Sequence, residues 1–272
     1  MKIGKYNFDT YHNTYIMGIL NVTPDSFSDG GKYSTLDQAL LHAEQMVRDG
    51  AHIIDVGGES TRPGYEEIPA GEEIERVAPV IEALKKNLDV PVSIDTYKSP
   101  VAEAAFQAGA DMVNDIWGFM ADPAMPGLCA KYDAACCLMH NKKEPVYRDF
   151  LPEMLYELGR CVERAIAFGV DPDKIMVDPG IGFGKTQEQN LEMIAHLEIM
   201  RELGYPALLG TSRKSVIGNV LELSADERLE GTLVTTVYAV QQGCSFVRVH
   251  DVKENARAIR MTRALLQVDR RR

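Results

Sequence analysis

Short apolar runs alternate along the chain with longer segments in which apolar residues recur every three or four positions. The short runs predict eight strands, over 15–20, 52–56, 91–94, 111–113, 134–139, 175–177, 207–209 and 246–249. In the segment 36–48, Leu36, Leu40 and Val47 fall on one helical face. The same spacing predicts helices over 74–88, 101–108, 154–168, 187–203, 226–242 and 253–267.

The predicted strands are apolar on both faces, as in a parallel sheet that is covered by helices on both sides. Eight strand–helix units in 272 residues favour an α/β fold in which the sheet closes into a (β/α)8 TIM barrel. We expect one domain over residues 1–272. The alternative is an open, doubly wound parallel sheet.

The first two predicted strands run into long polar loops, βα loops 1 and 2. These loops, over about 21–33 and 57–71, are dense in Asp, Asn, Ser, Thr, Arg, Gly and Pro. Connections in compact domains typically need about two to six residues. We therefore expect both loops to fold over a charged, planar small-molecule substrate.

Composition excludes some functions and favours a compartment. A net charge of −11 disfavours binding to nucleic acid or to an anionic membrane surface. No apolar run approaches the roughly 18 residues that span a bilayer. The odd count of five cysteines and the absence of an apolar leader favour reduced thiols and a cytoplasmic location.

Polar side chains with useful chemistry follow most of the predicted strands. Active sites of barrels lie at the carboxyl ends of the strands. The candidates there are Asn21, Asp95, Asn114, Asp178, Lys214, Ser215, Arg248 and His250. Any one Asp or Asn at a strand exit can be a simple helix cap or turn residue. Together with Lys and Arg, the set predicts a binding site.

The candidates suit a flat heterocycle. Asp95 and Asp178 can each accept two parallel hydrogen bonds from an aminopyrimidinone edge, and Asn114 can both donate and accept. Lys214 suits a ring carbonyl and Arg248 can stack on the ring. Apolar walls would come from Ile116, Met139 and Phe183. This arrangement predicts a site for a pterin or a purine-like ring.

A second group of candidates is cationic and rich in hydroxyls. Thr61, Arg62, Arg248 and His250, with Asn21 beside them, suit a phosphate or pyrophosphate. Asn21 offers a hard oxygen ligand, and Mg²⁺ typically takes few protein ligands beside substrate phosphates. The glycine-rich segment 180–186 lacks one residue of each nucleotide-loop pattern and is interpreted as a substrate-facing loop.

Long, ordered motifs carry a resemblance to the dihydropteroate synthase family. They are GILNVTPDSFSDG (18–30), IDVGGESTRPG (54–64), SIDT (93–96), VNDI (113–116), DPGIGFG (178–184), TSRKS (211–215) and RVH (248–250). The resemblance covers residues 15–263. It implies a TIM-barrel homodimer, a transferase that joins 6-hydroxymethyl-7,8-dihydropterin pyrophosphate to p-aminobenzoate in folate biosynthesis.

The resemblance also implies roles for individual residues. Asp95, Asn114, Asp178 and Lys214 would hold the pterin, and Arg248 would stack on it. Arg248, His250 and Thr61 would grip the pyrophosphate, and Asn21 would carry Mg²⁺. The p-aminobenzoate pocket, where sulfonamides also bind, would comprise Phe27, Thr61, Arg62, Pro63, Lys214 and Ser215. Asp95, Lys214, Arg248 and His250 would be the catalytic residues.

Two alternatives stay open at this point. A methyltransferase that binds a pterin would share the barrel and the acidic residues, but would not require a pyrophosphate site. A noncatalytic pterin-binding barrel would bind the ring without releasing pyrophosphate. For a synthase, we expect the carbon–oxygen bond between the pterin substrate and pyrophosphate to break first, in an SN1-like step.

Overall fold

The structure, a computed structural model, describes residues 1–23, 35–59 and 67–269. The strands in this part of the chain are β1 (Lys2–Ile3), β2 (Tyr6–Asn7), β3 (Tyr15–Asn21), β4 (Ile53–Gly57), β5 (Val92–Asp95), β6 (Met112–Asp115), β7 (Ala135–Met139), β8 (Ile175–Asp178), β9 (Leu208–Leu209) and β10 (Phe246–Val249). The α-helices are α1 (Thr35–Asp49), α2 (Ala70–Asn87), α3 (Ser99–Gln107), α4 (Met125–Lys131), α5 (Phe150–Ala167), α6 (Gln187–Ala195), α7 (Ser215–Leu221), α8 (Leu229–Gln241) and α9 (Val252–Asp269).

Strands β3 to β10 form one parallel sheet that closes almost completely on itself. The order is β8-β7-β6-β5-β4-β3-β10-β9. A parallel bridge between Val177 and Ala207 joins its two ends, where the Val177 N–H donates to the Pro206 carbonyl at 2.9 Å. The predicted TIM barrel is therefore confirmed, and the open-sheet alternative is wrong.

Helices surround the barrel and bury the outer face of its strands. Residues such as Ile54, Ile94 and Val113 belong to one large apolar cluster that also includes Val77 and Ala102 from α2 and α3. Because side chains alternate between the two faces of a strand, each strand supplies this layer and the barrel interior in turn. The two-sided burial accounts for the apolar sequence of the strands.

The N-terminal hairpin β1–β2 closes the amino end of the barrel. Ile3 and Phe8 join an apolar cluster with the interior residues Met17, Met176 and Phe246. The Phe8 ring meets those of Tyr15 and Phe246 at centroid distances of 4.9 and 5.6 Å. The hairpin was not predicted, because two-residue strands carry too little periodicity to be recognised.

Most predicted helices are confirmed, with three differences. The segment 187–203 divides into α6 and a 3₁₀ helix over Leu197–Leu203. The segment 226–242 divides in the same way at Arg228, between a 3₁₀ turn and α8. The short helices α4 and α7 were not predicted, since seven residues show little more than one repeat of a helical pattern. In the part of the chain that the structure describes, no helix is long and apolar enough to cross a membrane.

Candidate active site

The polar residues of the barrel interior lie one layer above its apolar floor. Met176, Phe246 and Ile53 belong to the floor, and the residues two positions further along their strands are Asp178, Arg248 and Asp55. Since side chains two apart point to the same face of a strand, these polar groups enter the interior at the carboxyl end. This is the end at which barrels bind their substrates.

Arg248 stands at the centre of this polar layer. Its Nε donates to Asp55 Oδ2 and a terminal nitrogen donates to Asp95 Oδ2, both at 2.6 Å. Asn114 Nδ2 donates to the same Asp55 oxygen at 3.2 Å. The predicted residues Asp95, Asn114 and Arg248 are thus brought together from β5, β6 and the distant strand β10.

Asp55 is a site residue that sequence reasoning missed. It is completely buried and binds both Arg248 and Asn114. A signal was present, because Asp55 is a carboxylate inside an otherwise apolar strand. Carboxylates are almost never fully buried without a partner, so its position alone predicts a cation nearby.

The carboxylates of the cluster are incompletely satisfied. Among the described residues, Asp55 Oδ1 and Asp95 Oδ1 are buried and have no hydrogen-bond partner. Burial raises the pKa of Asp95 to about 7, although Arg248 opposes the shift. Burial acts to lower the pKa of Arg248, but Asp55 and Asp95 outweigh it and raise that pKa. The site is therefore poised to accept hydrogen bonds from a ligand.

Asp178 and Lys214 form the other side of the cluster. A Cβ added at Gly210 would lie 3.6 Å from Asp178 Oδ2 and 3.8 Å from Lys214 Nζ. Lys214 Nζ donates to the Ile181 carbonyl at 2.6 Å and lies 4.7 Å from the centroid of the Phe183 ring.

Burial shifts the pKa values of both groups in the direction that favours the neutral form of each side chain. It lowers the pKa of Lys214 to about 8, although Asp178 opposes the shift. Burial raises the pKa of Asp178, against the influence of Lys214 and of the Gly180 N–H, which donates to Asp178 Oδ1 at 2.7 Å. Both groups are therefore held in a site that penalises their charged forms until a ligand offers them a partner.

The structure describes four more of the predicted residues besides Asn21. A Cβ at Gly57 would lie 3.6 Å from Asn21 Oδ1 and 3.8 Å from Asp95 Oδ2, so Asn21 borders the cluster. His250 Nδ1 lies 2.9 Å from the Ser212 hydroxyl. Ile116 and Met139 are buried, and Ser215 begins α7 directly after Lys214. Four further predicted residues, Phe27, Thr61, Arg62 and Pro63, lie outside the described residues.

A buried group of charges lies beside the start of α2. Glu73 is buried, unlike its exposed neighbours Glu72 and Glu75, and its carboxylate lies 3.0 Å from Lys98 Nζ. Lys98 also pairs with Glu59 and donates to the Ile68 carbonyl at 2.7 Å. Lys98 thus ties together the two chain segments on either side of residues 60–66.

Comparison with known proteins identifies the family. The family model described as pterin binding enzyme matches residues 17–250. A dihydropteroate synthase from Clostridium beijerinckii is 56% identical over 96% of this chain and 98% of the relative. The chain belongs to the dihydropteroate synthase family of pterin-binding enzymes. A second dihydropteroate synthase, from Bacillus subtilis, is 56% identical over 93% of this chain and 89% of the relative.

Solved dihydropteroate synthase structures share the fold. The enzyme from Clostridium difficile, crystallised in the presence of pteroic acid, has a TM-score of 0.92 and 53% identity over 95% of this chain and 99% of that chain. The enzyme from Xanthomonas albilineans in complex with 7,8-dihydropteroate has a TM-score of 0.87 and 37% identity over 93% of this chain and 94% of that chain. The resemblance found in the motifs is therefore confirmed.

Proposed function

We propose that this protein is a transferase that condenses 6-hydroxymethyl-7,8-dihydropterin pyrophosphate with p-aminobenzoate, giving 7,8-dihydropteroate and pyrophosphate. The observation that carries the proposal is the buried acceptor cluster, in which Asp95 Oδ1 and Asp55 Oδ1 have no partner among the described residues. Leaving such oxygens without a partner costs about 1–3 kcal/mol each. The N–H groups of an aminopyrimidinone ring would remove that cost.

The pterin ring would lie between the two carboxylate sides of the cluster. Asp178 and Asp95 would accept from its amino and ring N–H groups, and Asn114 would both donate and accept. Lys214 would bind the ring carbonyl in place of the Ile181 carbonyl that it contacts here. Apolar contacts would come from Ile116, Met139 and Phe183.

Arg248 would serve the ring and the leaving group together. Its pairs with Asp55 and Asp95 use Nε and one terminal nitrogen, so the guanidinium has further N–H donors for pyrophosphate oxygens. Its plane would stack on the pterin. His250 and Thr61 would complete the pyrophosphate contacts.

The residues fit Mg²⁺ as a partner of the pyrophosphate. Asn21 offers an amide oxygen beside the cluster. The described residues contain no group of three or more His, Cys, Asp or Glu that could hold a metal ion. Mg²⁺ accepts such a sparse protein site because substrate phosphates and water fill its remaining positions. When bound, it would neutralise charge on the leaving pyrophosphate.

The p-aminobenzoate would be held by the start of α7 together with residues of βα loops 1 and 2. Lys214 and Ser215 lie at that start. Phe27, Thr61, Arg62 and Pro63 take part by family resemblance, and the Arg62 and Lys214 cations suit the carboxylate of the substrate.

In the reaction, the bond between the exocyclic carbon and the pyrophosphate oxygen breaks first, and both electrons leave with pyrophosphate. The positive charge spreads into the electron-rich dihydropterin ring, where the Asp95 and Asp178 carboxylates stabilise it. The amine of p-aminobenzoate then forms the carbon–nitrogen bond and loses a proton to water. A weakly basic amine attacking a cation needs no strong general base.

Pyrophosphate release tests this function. Release from the pterin substrate should require Mg²⁺, increase with p-aminobenzoate and fall in Asn21→Ala, whereas the exposed-site control Asn219→Ala should behave like wild type. Pterin binding without any release would overturn the proposal in favour of a binding protein or a methyltransferase. If release never occurs without the amine, the dissociative order is wrong.

The family resemblance further suggests a homodimer, and the surface of α8 supports it. Val234 and Tyr238 of α8 are exposed, as are Val220 of α7 and Leu265 of α9, and both of those helices pack against α8. Val234→Glu should convert a dimer into monomers in sedimentation equilibrium, and Val146→Glu, at an exposed position outside these helices, should not. An unchanged mass for both would contradict this assignment.

We also place this single domain, with its five cysteines unpaired, in the cytoplasm.

A further inference from the structure

Lys185 lies behind the pterin site and outside the set of residues assigned to it. Its Nζ contacts three acceptors, the carbonyls of Gly180 and Phe183 at 3.0 and 3.1 Å and His140 Nδ1 at 3.0 Å. An ammonium group has three N–H donors, so the three acceptors match the charged form of the lysine. Burial lowers the pKa of Lys185 to about 7, although the Asp178 carboxylate opposes the shift. The match indicates a built anchor.

A chain of contacts fixes the proton pattern that this anchor needs. His140 Nε2 lies 2.8 Å from Glu157 Oε2, so Nε2 carries the proton and Nδ1 is left to accept from Lys185. Glu157 is in turn held by Lys142 at 2.8 Å. Burial lowers the pKa of His140 to about 4, which keeps the ring neutral at ordinary pH.

The anchor holds the loop 179–184, which connects β8 to α6 and forms one wall of the site. Lys214 donates to the Ile181 carbonyl of this loop, and the Phe183 ring faces Lys214. The loop passes close to the end of β7: Gly180 has φ +71°, and a Cβ there would lie 1.9 Å from the His140 carbonyl oxygen, so only glycine fits. Lys185 and Lys214 thus hold the same loop through different carbonyl groups.

Lys185 also acts on the charge of Asp178. It is one of three cations that oppose the burial-induced rise in the pKa of Asp178, together with Lys214 and Arg248. Asp178 accepts ligand N–H groups best as a carboxylate. Removing Lys185 would leave Asp178 with fewer opposing charges, so its pKa would rise further.

We infer that Lys185 is a positioning residue for the pterin subsite: through its bonds to Gly180, Phe183 and His140 it sets the loop 179–184 against the ring and places a cation near Asp178. The inference rests on the proposed function, because the ring is the proposed substrate. It predicts a defect that is selective for the pterin, since none of these contacts involves the p-aminobenzoate residues other than Lys214.

The test compares Lys185→Met with a matched buried lysine. Lys174 is buried directly before the other end of β8, where it donates to the Asp133 carbonyl at 2.8 Å. In Lys185→Met, we expect the KM for the pterin pyrophosphate to rise at least tenfold and the KM for p-aminobenzoate to change less than twofold. Lys174→Met should leave both values within twofold of wild type.

A pH profile separates this role from general loosening of the fold. The acidic limb of pterin binding, measured by titration calorimetry with the pterin pyrophosphate, should move to higher pH in Lys185→Met and not in Lys174→Met. An unchanged pterin KM and profile would overturn the inference, as would an equal rise of both KM values.

A second variant and the wild-type activity complete the test. If Lys185→Met does not unfold cooperatively, Lys185→Gln is measured under the same criteria, because its amide can still donate to a loop carbonyl and support the fold. If wild type itself shows no turnover of the pterin pyrophosphate, the proposed function fails. If the wild type is active and the Lys185 variant is unaffected, only the inferred role of Lys185 is wrong.

Discussion

Replacing Asp95 by asparagine should stabilise the free protein while it weakens the site. Asp95 is buried, one of its oxygens has no partner among the described residues, and the other is paired with Arg248. Asp55 lies beside the same guanidinium. Two carboxylates thus share one cation in a water-poor interior, and the asparagine side chain keeps the shape while it removes one charge.

The magnitude follows from the pKa of Asp95, which burial raises from 3.8 to about 7. Between these values the folded protein holds a proton that the unfolded chain has released, so the free energy of unfolding falls as pH rises from about 4 to about 7. A shift of about three units corresponds to about 4 kcal/mol. An asparagine at this position avoids the loss, and we expect the Asp95→Asn variant to gain about 2–4 kcal/mol over wild type above pH 7.

Urea denaturation at pH 5 and pH 8 measures the effect. The difference in unfolding free energy between Asp95→Asn and wild type should be larger at pH 8 than at pH 5, while the exposed Asp173→Asn control should show no such change. Pterin binding should weaken in Asp95→Asn at both pH values. A difference that does not grow with pH, or a variant less stable than wild type at pH 8, would refute the reasoning.

Two further predictions concern stability away from the ring. Lys98→Met should lower the unfolding free energy by about 3–5 kcal/mol in urea denaturation, because it leaves the buried carboxylates of Glu59 and Glu73 without their cation. A loss below about 1 kcal/mol would contradict the burial argument. Phe8→Ala should cost about 3–5 kcal/mol by opening a cavity at the barrel floor against Phe246. Because the site lies at the opposite end, both KM values of the Phe8 variant should match wild type at a temperature where it is folded, and a shifted KM would argue against this separation.

Strand–helix alternation with strands apolar on both faces predicted a parallel sheet, and eight units in 272 residues favoured its closure into a barrel. Because the strands are apolar on both faces, the sequence does not show which side chains point into the barrel. Ile54 in the outer layer and Asp55 in the interior are equally buried, and only the alternation of side chains along the folded strand tells them apart. Short elements such as β1, β2 and α7 were missed because they carry too few residues for a period to show.

The sequence by itself determined the fold, the family and most of the polar residues at the strand ends, because local spacing and residue chemistry encode them. Only the tertiary structure decided which charges meet. The pairing of Arg248 with Asp55 and Asp95 joins residues more than 150 positions apart. The contact of Glu73 with Lys98 and the bond between Lys185 and His140 likewise join separate segments of the chain. Hydrogen bonds and desolvation act over a few ångströms in space, and separation along the chain carries no information about them.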